Sequence, residues 1–223
     1  MSIKPILFSS WSSSCSWRVR IALHLKDIDF TIKPVNTSKG EHKTKEFQEI
    51  NPMKHVPALK IDGKTLIESL AIINYLDEAF PQKPFLPTNI YQRAQSRAIA
   101  DVIASGIQPL QNMKVLKYTA KEGESLNLNF ARHWIKEGFE SLEEIVSSSS
   151  GKFCVGNEVT IADIVLIPQV TKARQFKIDL TPFPTICRIE KDLKVLEAFH
   201  KANPLRQPDC PNDLTDYNKS FFE

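Results

Sequence analysis

A chain of 223 residues, 42% hydrophobic and 25% charged, is long enough to bury a sizeable core as one large or two small domains. Its formal net charge of +3, with acids and bases interspersed, gives no case for a nucleic-acid surface, although a mildly basic pocket suits small anions. Cys15, Cys154, Cys187 and Cys210 lie far apart with no CxxC pair, and the five histidines include no pair at metal-ligand spacing, so free thiols, a reducing compartment and no metal are expected.

Met1 to Pro5 runs directly into an apolar stretch without the form of a signal peptide, and no apolar run approaches the length of a membrane span. The expected location is the cytoplasm, with no membrane partner. Pro5-Ile6-Leu7-Phe8-Ser9 reads as a first strand, and Val19, Ala22 and Leu23 then recur at helical spacing. Ser12 to Ser16 therefore occupies a strand-to-helix junction. There the first backbone N–H groups lack partners and the peptide dipoles favour negative charge, so an anion or a thiolate is stabilised. A serine at such a junction serves equally as a plain N-cap.

The helix should end near Lys26-Asp27, and Phe30 to Val35 alternates as a second strand, completing a βαβ unit. Lys43 to Ile50 suits a short helix. Val56 to Ile61 and Lys64 to Ile67, joined by Asp62-Gly63, read as a β-hairpin whose Pro57 sits at the strand's first position. Glu68 and Ser69 then precede the amphipathic run Leu70 to Leu76, with Ser69 placed to cap it.

Residues 79–90, with three prolines, mark the clearest boundary. Beyond it the spacing predicts helices over about 91–118, 126–147, 161–173 and 185–202, the last interrupted near Val195, and no strand. Gln108 and Asn112 fall four apart, on one face of the first of these. Val159 to Ile164 has the form of a capping box with Asp163 in the acidic place and an apolar staple around it. The proline-rich, polar stretch from Pro204 to Glu223 is expected to lack regular structure and either drape over the helical half or stay disordered.

The junction Ser13-Ser14-Cys15-Ser16-Trp17-Arg18-Val19-Arg20-Ile21-Ala22-Leu23, then Asn51 to Leu59, then Ile67 to Ile72 form a set in the order of the glutathione transferase family, and the junction's form resembles that of its zeta class. The likeness spans about residues 4–212. It implies an α+β two-domain architecture, with a thioredoxin-like glutathione-binding α/β domain over 1–83 and an all-α substrate domain over 88–223. It further implies glutathione as cofactor, a homodimer, and isomerisation of maleylacetoacetate to fumarylacetoacetate in phenylalanine and tyrosine catabolism. In that reaction glutathione thiolate adds to a conjugated double bond, the bond rotates, and elimination returns the thiol.

By the same resemblance Ser13 is the catalytic serine, Ser14 its neighbour in reserve, and Cys15 a pocket wall or a nucleophile. The expected glutathione contacts are Ser13, Ser14, Cys15, Ser16, Trp17, Arg18, His42, Val56, Glu68, Ser69, Gln108 and Asn112. A cis bond before Pro57 would turn the Val56 backbone toward the ligand. Candidate anchors for a carboxylate substrate are Arg18, Arg174 and Gln175. In the last pair the chain departs from the family pattern, which carries Arg immediately before Phe-Lys where Gln175 precedes Phe176-Lys177; one residue is about 100° of helix rotation. Displacement of halide from α-haloacids is expected as a secondary activity. The alternatives are a general glutathione-conjugating or Cys15-based transferase, and a non-catalytic glutathione-binding module.

Overall fold

The apolar run after Pro5 forms the inner strand β1 (Ile6–Ser9) of a four-stranded sheet with order β2-β1-β3-β4. It pairs in parallel with β2 (Thr31–Pro34), placing Leu7 opposite Ile32, and antiparallel with β3 (Ala58–Ile61), placing Leu7 opposite Leu59. β2 is an edge strand, which is where a proline such as Pro34 is tolerated. β4 (Lys64–Ile67) returns antiparallel through Asp62 and Gly63, whose φ values of 49° and 74° are those of a tight primed turn.

The computed structural model describes residues 4–214. They divide into two compact units, residues 4–84 with 196–214, and residues 85–195. In the first unit α1 (Ser14–Leu25) crosses over between β1 and β2, α2 (Lys45–Ile50) follows a 3-10 turn at Glu41–Lys43, and α3 (Ser69–Ala79) packs on α1. α1 is buried from Trp17 through Leu23 on every face. Its end is held by Lys26, whose buried ammonium donates to Asp77 Oδ1 at 2.8 Å, Phe80 O at 2.7 Å and Lys83 O at 2.6 Å.

The second unit begins with α4 (Ile90–Asp101). Instead of one helix to Tyr118, the chain loosens to a π-helical turn at Val102–Ile107, tightens to a 3-10 turn at Gln108–Gln111, and restarts as α5 (Met113–Tyr118). The physical reason is Pro109, which lacks the N–H that a continuous helix needs, followed by Asn112, whose side chain caps a new helix by accepting the Lys114 N–H at 3.0 Å. α6 (Leu128–Ser149), α7 (Ile161–Gln175) and α8 (Pro184–Lys194) complete the unit. α7 is buried all round from Ile161 to Thr171 and packs against α4, α6 and α8.

The capping box forms. Asp163, fully buried, accepts the Thr160 N–H at 2.8 Å and hydroxyl at 3.0 Å, and its second oxygen accepts the Cys154 N–H at 2.9 Å. Burial raises its pKa while these bonds act in the opposite direction.

After Val195 the chain leaves this unit. α9 (Glu197–Ala202) packs on α1, and a 3-10 turn follows at Pro204–Arg206. This corrects two expectations. Residues 196–214 belong with the sheet rather than with the helical half, and the stretch expected to be irregular from Pro204 opens on a 3-10 turn. The cause is specific bonding: Arg20 Nε donates to Ala202 O at 3.0 Å, and Trp11 N–H to Asp209 Oδ2 at 2.8 Å. The rest of the expected tail, 215–223, lies outside the described residues. Among the described residues no helix is long and apolar enough to cross a membrane, and no cluster of three His, Cys, Asp or Glu side chains could hold a metal ion.

Gly138 of α6 permits the close approach of the loosened turn: a Cβ there would lie 2.4 Å from Ile107 Cγ1. Gly138→Ala is expected to lower the unfolding free energy by about 1–3 kcal/mol, measured by denaturant unfolding, because an added methyl overpacks a filled interior.

Candidate functional site

The β1–α1 junction places Ser13 as the N-cap of α1, with φ −71° and ψ 118°, and its Oγ accepts the Ser16 N–H at 3.2 Å. A hydroxyl that accepts still keeps its own proton to donate. Capping and donation to a ligand are thus compatible at one atom. Ser14 opens the helix and is buried, Cys15 is a half-buried free thiol, and Ser16 is buried with its Oγ accepting the Ser10 N–H at 3.5 Å. Trp17 is buried, and its Nε1 has no hydrogen-bond partner among the described residues.

Arg18 is only 1% exposed. Its Nη1 donates to Ser69 Oγ at 3.3 Å, while Nε and Nη2 are buried without hydrogen-bond partners among the described residues. Burial pulls its pKa down, and the nearby Cys15 acts upward. Ser69 is not the cap expected from the sequence. Glu68 takes that position, in the left-handed region with φ 67°, and its side chain makes no capping bond. A non-glycine residue held there stores backbone strain, which the surrounding structure must enforce. Ser69 becomes the first helical residue and spends its hydroxyl on Arg18.

The Val56–Pro57 bond is cis. The β1–β3 ladder ends at Phe8 opposite Ala58, so Val56 lies beyond it, its side chain packed against the cluster of Phe8, Val35, Phe47 and Ala58. His42 is half-buried in the turn that follows Gly40.

In the second unit Gln108 opens the 3-10 turn and Asn112 caps α5, so the helical spacing read from the sequence is not what places them. Behind them Gln111 and Gln169 exchange amide hydrogen bonds, 3.0 Å in each direction, both buried. Arg174 is paired with the buried carboxylate of Glu190, which Lys194 also approaches at 3.1 Å. Gln175 accepts from Lys172 Nζ at 2.7 Å. The cation beside Gln175 is thus Lys172, one turn earlier, which sequence reasoning passed over although a three-residue spacing puts both on one face. Arg20 and Asp209 were also missed, because the second lies 198 residues from its partner Trp11.

The first unit fits glutathione. Buried guanidinium donors without partners, set beside a helix N-terminus whose cap residue is strained open, call for an anion such as a γ-glutamyl carboxylate. The Ser13 hydroxyl at the other helix start suits a thiolate.

A family model described as the N-terminal domain of glutathione S-transferase matches residues 12–79, and one described as its C-terminal domain matches 109–202. The chain belongs to the glutathione S-transferase family. It is 54% identical over 213 residues to the mouse (Mus musculus) maleylacetoacetate isomerase, covering 95% of this chain and 97% of the relative. It resembles the crystal structure of maleylacetoacetate isomerase from Anaeromyxobacter dehalogenans 2CP-1 with glutathione in its active site, with a TM-score of 0.86, 38% identity, and coverage of 94% and 99% of the two chains. A bacterial zeta-class maleyl pyruvate isomerase matches with a TM-score of 0.87, 35% identity, and 92% and 100% coverage. Within the family the chain's place is the zeta class, that of the maleylacetoacetate isomerases.

Ser69→Ala leaves Arg18 without its hydroxyl partner and is expected to cost about 1.5–3 kcal/mol of stability, the range for a bond to a charged group. Calorimetry should also show that glutathione raises the melting temperature of the unmodified protein more than that of the variant.

Proposed function

We propose that the protein catalyses the cis–trans isomerisation of maleylacetoacetate to fumarylacetoacetate, with glutathione as cofactor. The observation that carries this reading is the hydroxyl of Ser13, which caps α1 through its oxygen and keeps a proton to donate, in a chain so close to maleylacetoacetate isomerases. When bound, glutathione supplies a thiolate that adds to the substrate's double bond, permits rotation and leaves again. Ser13 would donate a hydrogen bond from its Oγ to that sulfur, its proton staying on oxygen, and the α1 N-terminus would favour the negative charge. Ser14, Cys15, Ser16 and Trp17 form the turn around it, with Cys15 as a wall of the pocket.

Arg18, Ser69 and the N-terminus of α3 hold the γ-glutamyl carboxylate, and Glu68 pairs the ammonium group. The Val56 backbone meets the cysteinyl backbone as an added strand would, and His42 serves the glycine carboxylate. Lys172, beside Gln175, anchors the substrate carboxylate; Arg174 is committed to Glu190 and does not. We further read the first unit as the glutathione-binding domain and the second as the substrate domain of a cytoplasmic homodimer, with slower turnover of α-haloacids.

Maleylacetone, a stable analogue of the substrate, tests the reading. Ser13→Ala should reduce its glutathione-dependent isomerisation roughly a hundredfold, the usual loss when one donor to developing charge is removed. Ser13→Asp restores the cap, worth about 1 kcal/mol, yet not the turnover. Isomerisation unaffected in both variants contradicts the assignment.

Lys172→Met should raise the KM for maleylacetone about tenfold while glutathione affinity stays unchanged, as loss of one charge-assisted contact predicts. Arg174→Gln should lower thermal stability and leave that KM alone. The reverse pattern would return the anchor to Arg174.

A further inference from the structure

The C-terminal stretch reaches back to the junction that carries Ser13. Asp209 Oδ2 accepts the Trp11 N–H at 2.8 Å, closing a contact between positions 198 apart in sequence. The Trp11 carbonyl accepts from Arg20 Nη2 at 3.0 Å, so Trp11 is held by both its peptide groups. Arg20 Nη1 donates to Ser9 Oγ at 2.9 Å and to Ser10 O at 3.2 Å, and Ser10 O also accepts the Ser13 N–H at 3.1 Å. Every backbone bond named here lies within three residues of Ser13.

The segment that carries Asp209 is itself braced. Gln207 Nε2 donates to Lys201 O at 3.1 Å and Asn203 O at 2.7 Å, and the Cys210 N–H reaches Gln207 O at 3.0 Å. The negative charge of Asp209 also favours the protonated form of buried Arg20, against the burial that disfavours it. Internal bonds, Ser13 N–H to Ser10 O and Ser16 N–H to Ser13 Oγ, brace the helix start, while both peptide groups of Trp11 are held by partners from outside the junction.

We propose that Asp209 is a positioning residue for the Ser13 hydroxyl: by fixing the Trp11 peptide it holds the junction so that Oγ meets the glutathione sulfur at donor distance. The inference rests on the reading of Ser13 as thiolate donor. A displacement of about 1 Å at such a donor costs up to a hundredfold in rate, whereas a purely structural contact would change stability alone.

The test follows the thiol of enzyme-bound glutathione by its ultraviolet thiolate absorbance as pH is varied, together with KM and kcat on maleylacetone. In the unmodified protein the bound thiol should ionise well below its value in free glutathione. Asp209→Ala should move that ionisation up by about one pH unit, a tenfold change in thiolate stabilisation, with a comparable fall in kcat. Asp209→Asn keeps an oxygen acceptor for the Trp11 N–H and should behave nearly as the unmodified protein. Asp209→Ser, too short to reach Trp11, gives the same readout where Asp209→Ala does not fold. Variants that melt at lower temperature yet titrate and turn over as the unmodified protein overturn the proposal and leave Asp209 a simple staple. Bound glutathione that ionises as it does in water, in the unmodified protein, overturns the Ser13 reading itself.

Discussion

A buried guanidinium, that of Arg20, ties the first unit together. It is 0% exposed, and its donors reach Ser9 Oγ, Ser10 O, Trp11 O and Ala202 O. Burial pulls its pKa down to about 9, still above neutral, so the group stays charged under ordinary conditions. A charge taken out of water is tolerated only when its donors are satisfied. Those acceptors come from the β1–α1 junction and from the end of α9, so the folding of two stretches distant in sequence is coupled to the solvation of one side chain.

Arg18, two residues earlier on the same helix, shows the opposite economy. Only Nη1 has a partner, Ser69, and the other donors are buried and unfilled among the described residues. One helix thus carries an arginine whose three nitrogens all have partners and a second with two nitrogens unpartnered among the described residues. The strained Glu68 beside Ser69 gives up local stability at the start of α3.

The second unit makes its adjustments through helix winding. The passage from α4 to a π-helical turn, a 3-10 turn and the Asn112 cap sets Gln108 and Asn112 by changes of pitch around Pro109, while the buried Gln111–Gln169 pair fastens the turn to α7. On α7 Arg174 turns to the buried Glu190, while Lys172 donates to Gln175.

The sequence by itself determined the short-range features. The strands, the Asp62-Gly63 hairpin, the helix starts at Ser13 and Thr160, and the chemistry of a serine at a helix N-terminus are written in neighbouring residues, because periodicity and capping act within one or two turns. The exchange of cap for first helical residue at Glu68-Ser69, the return of residues 196–214 to the sheet, and the partners of Arg18, Arg20 and Arg174 were decided only by tertiary structure. Each depends on which distant group solvates a buried charge or an unpaired peptide, and the spacing of residues along the chain carries no record of that choice.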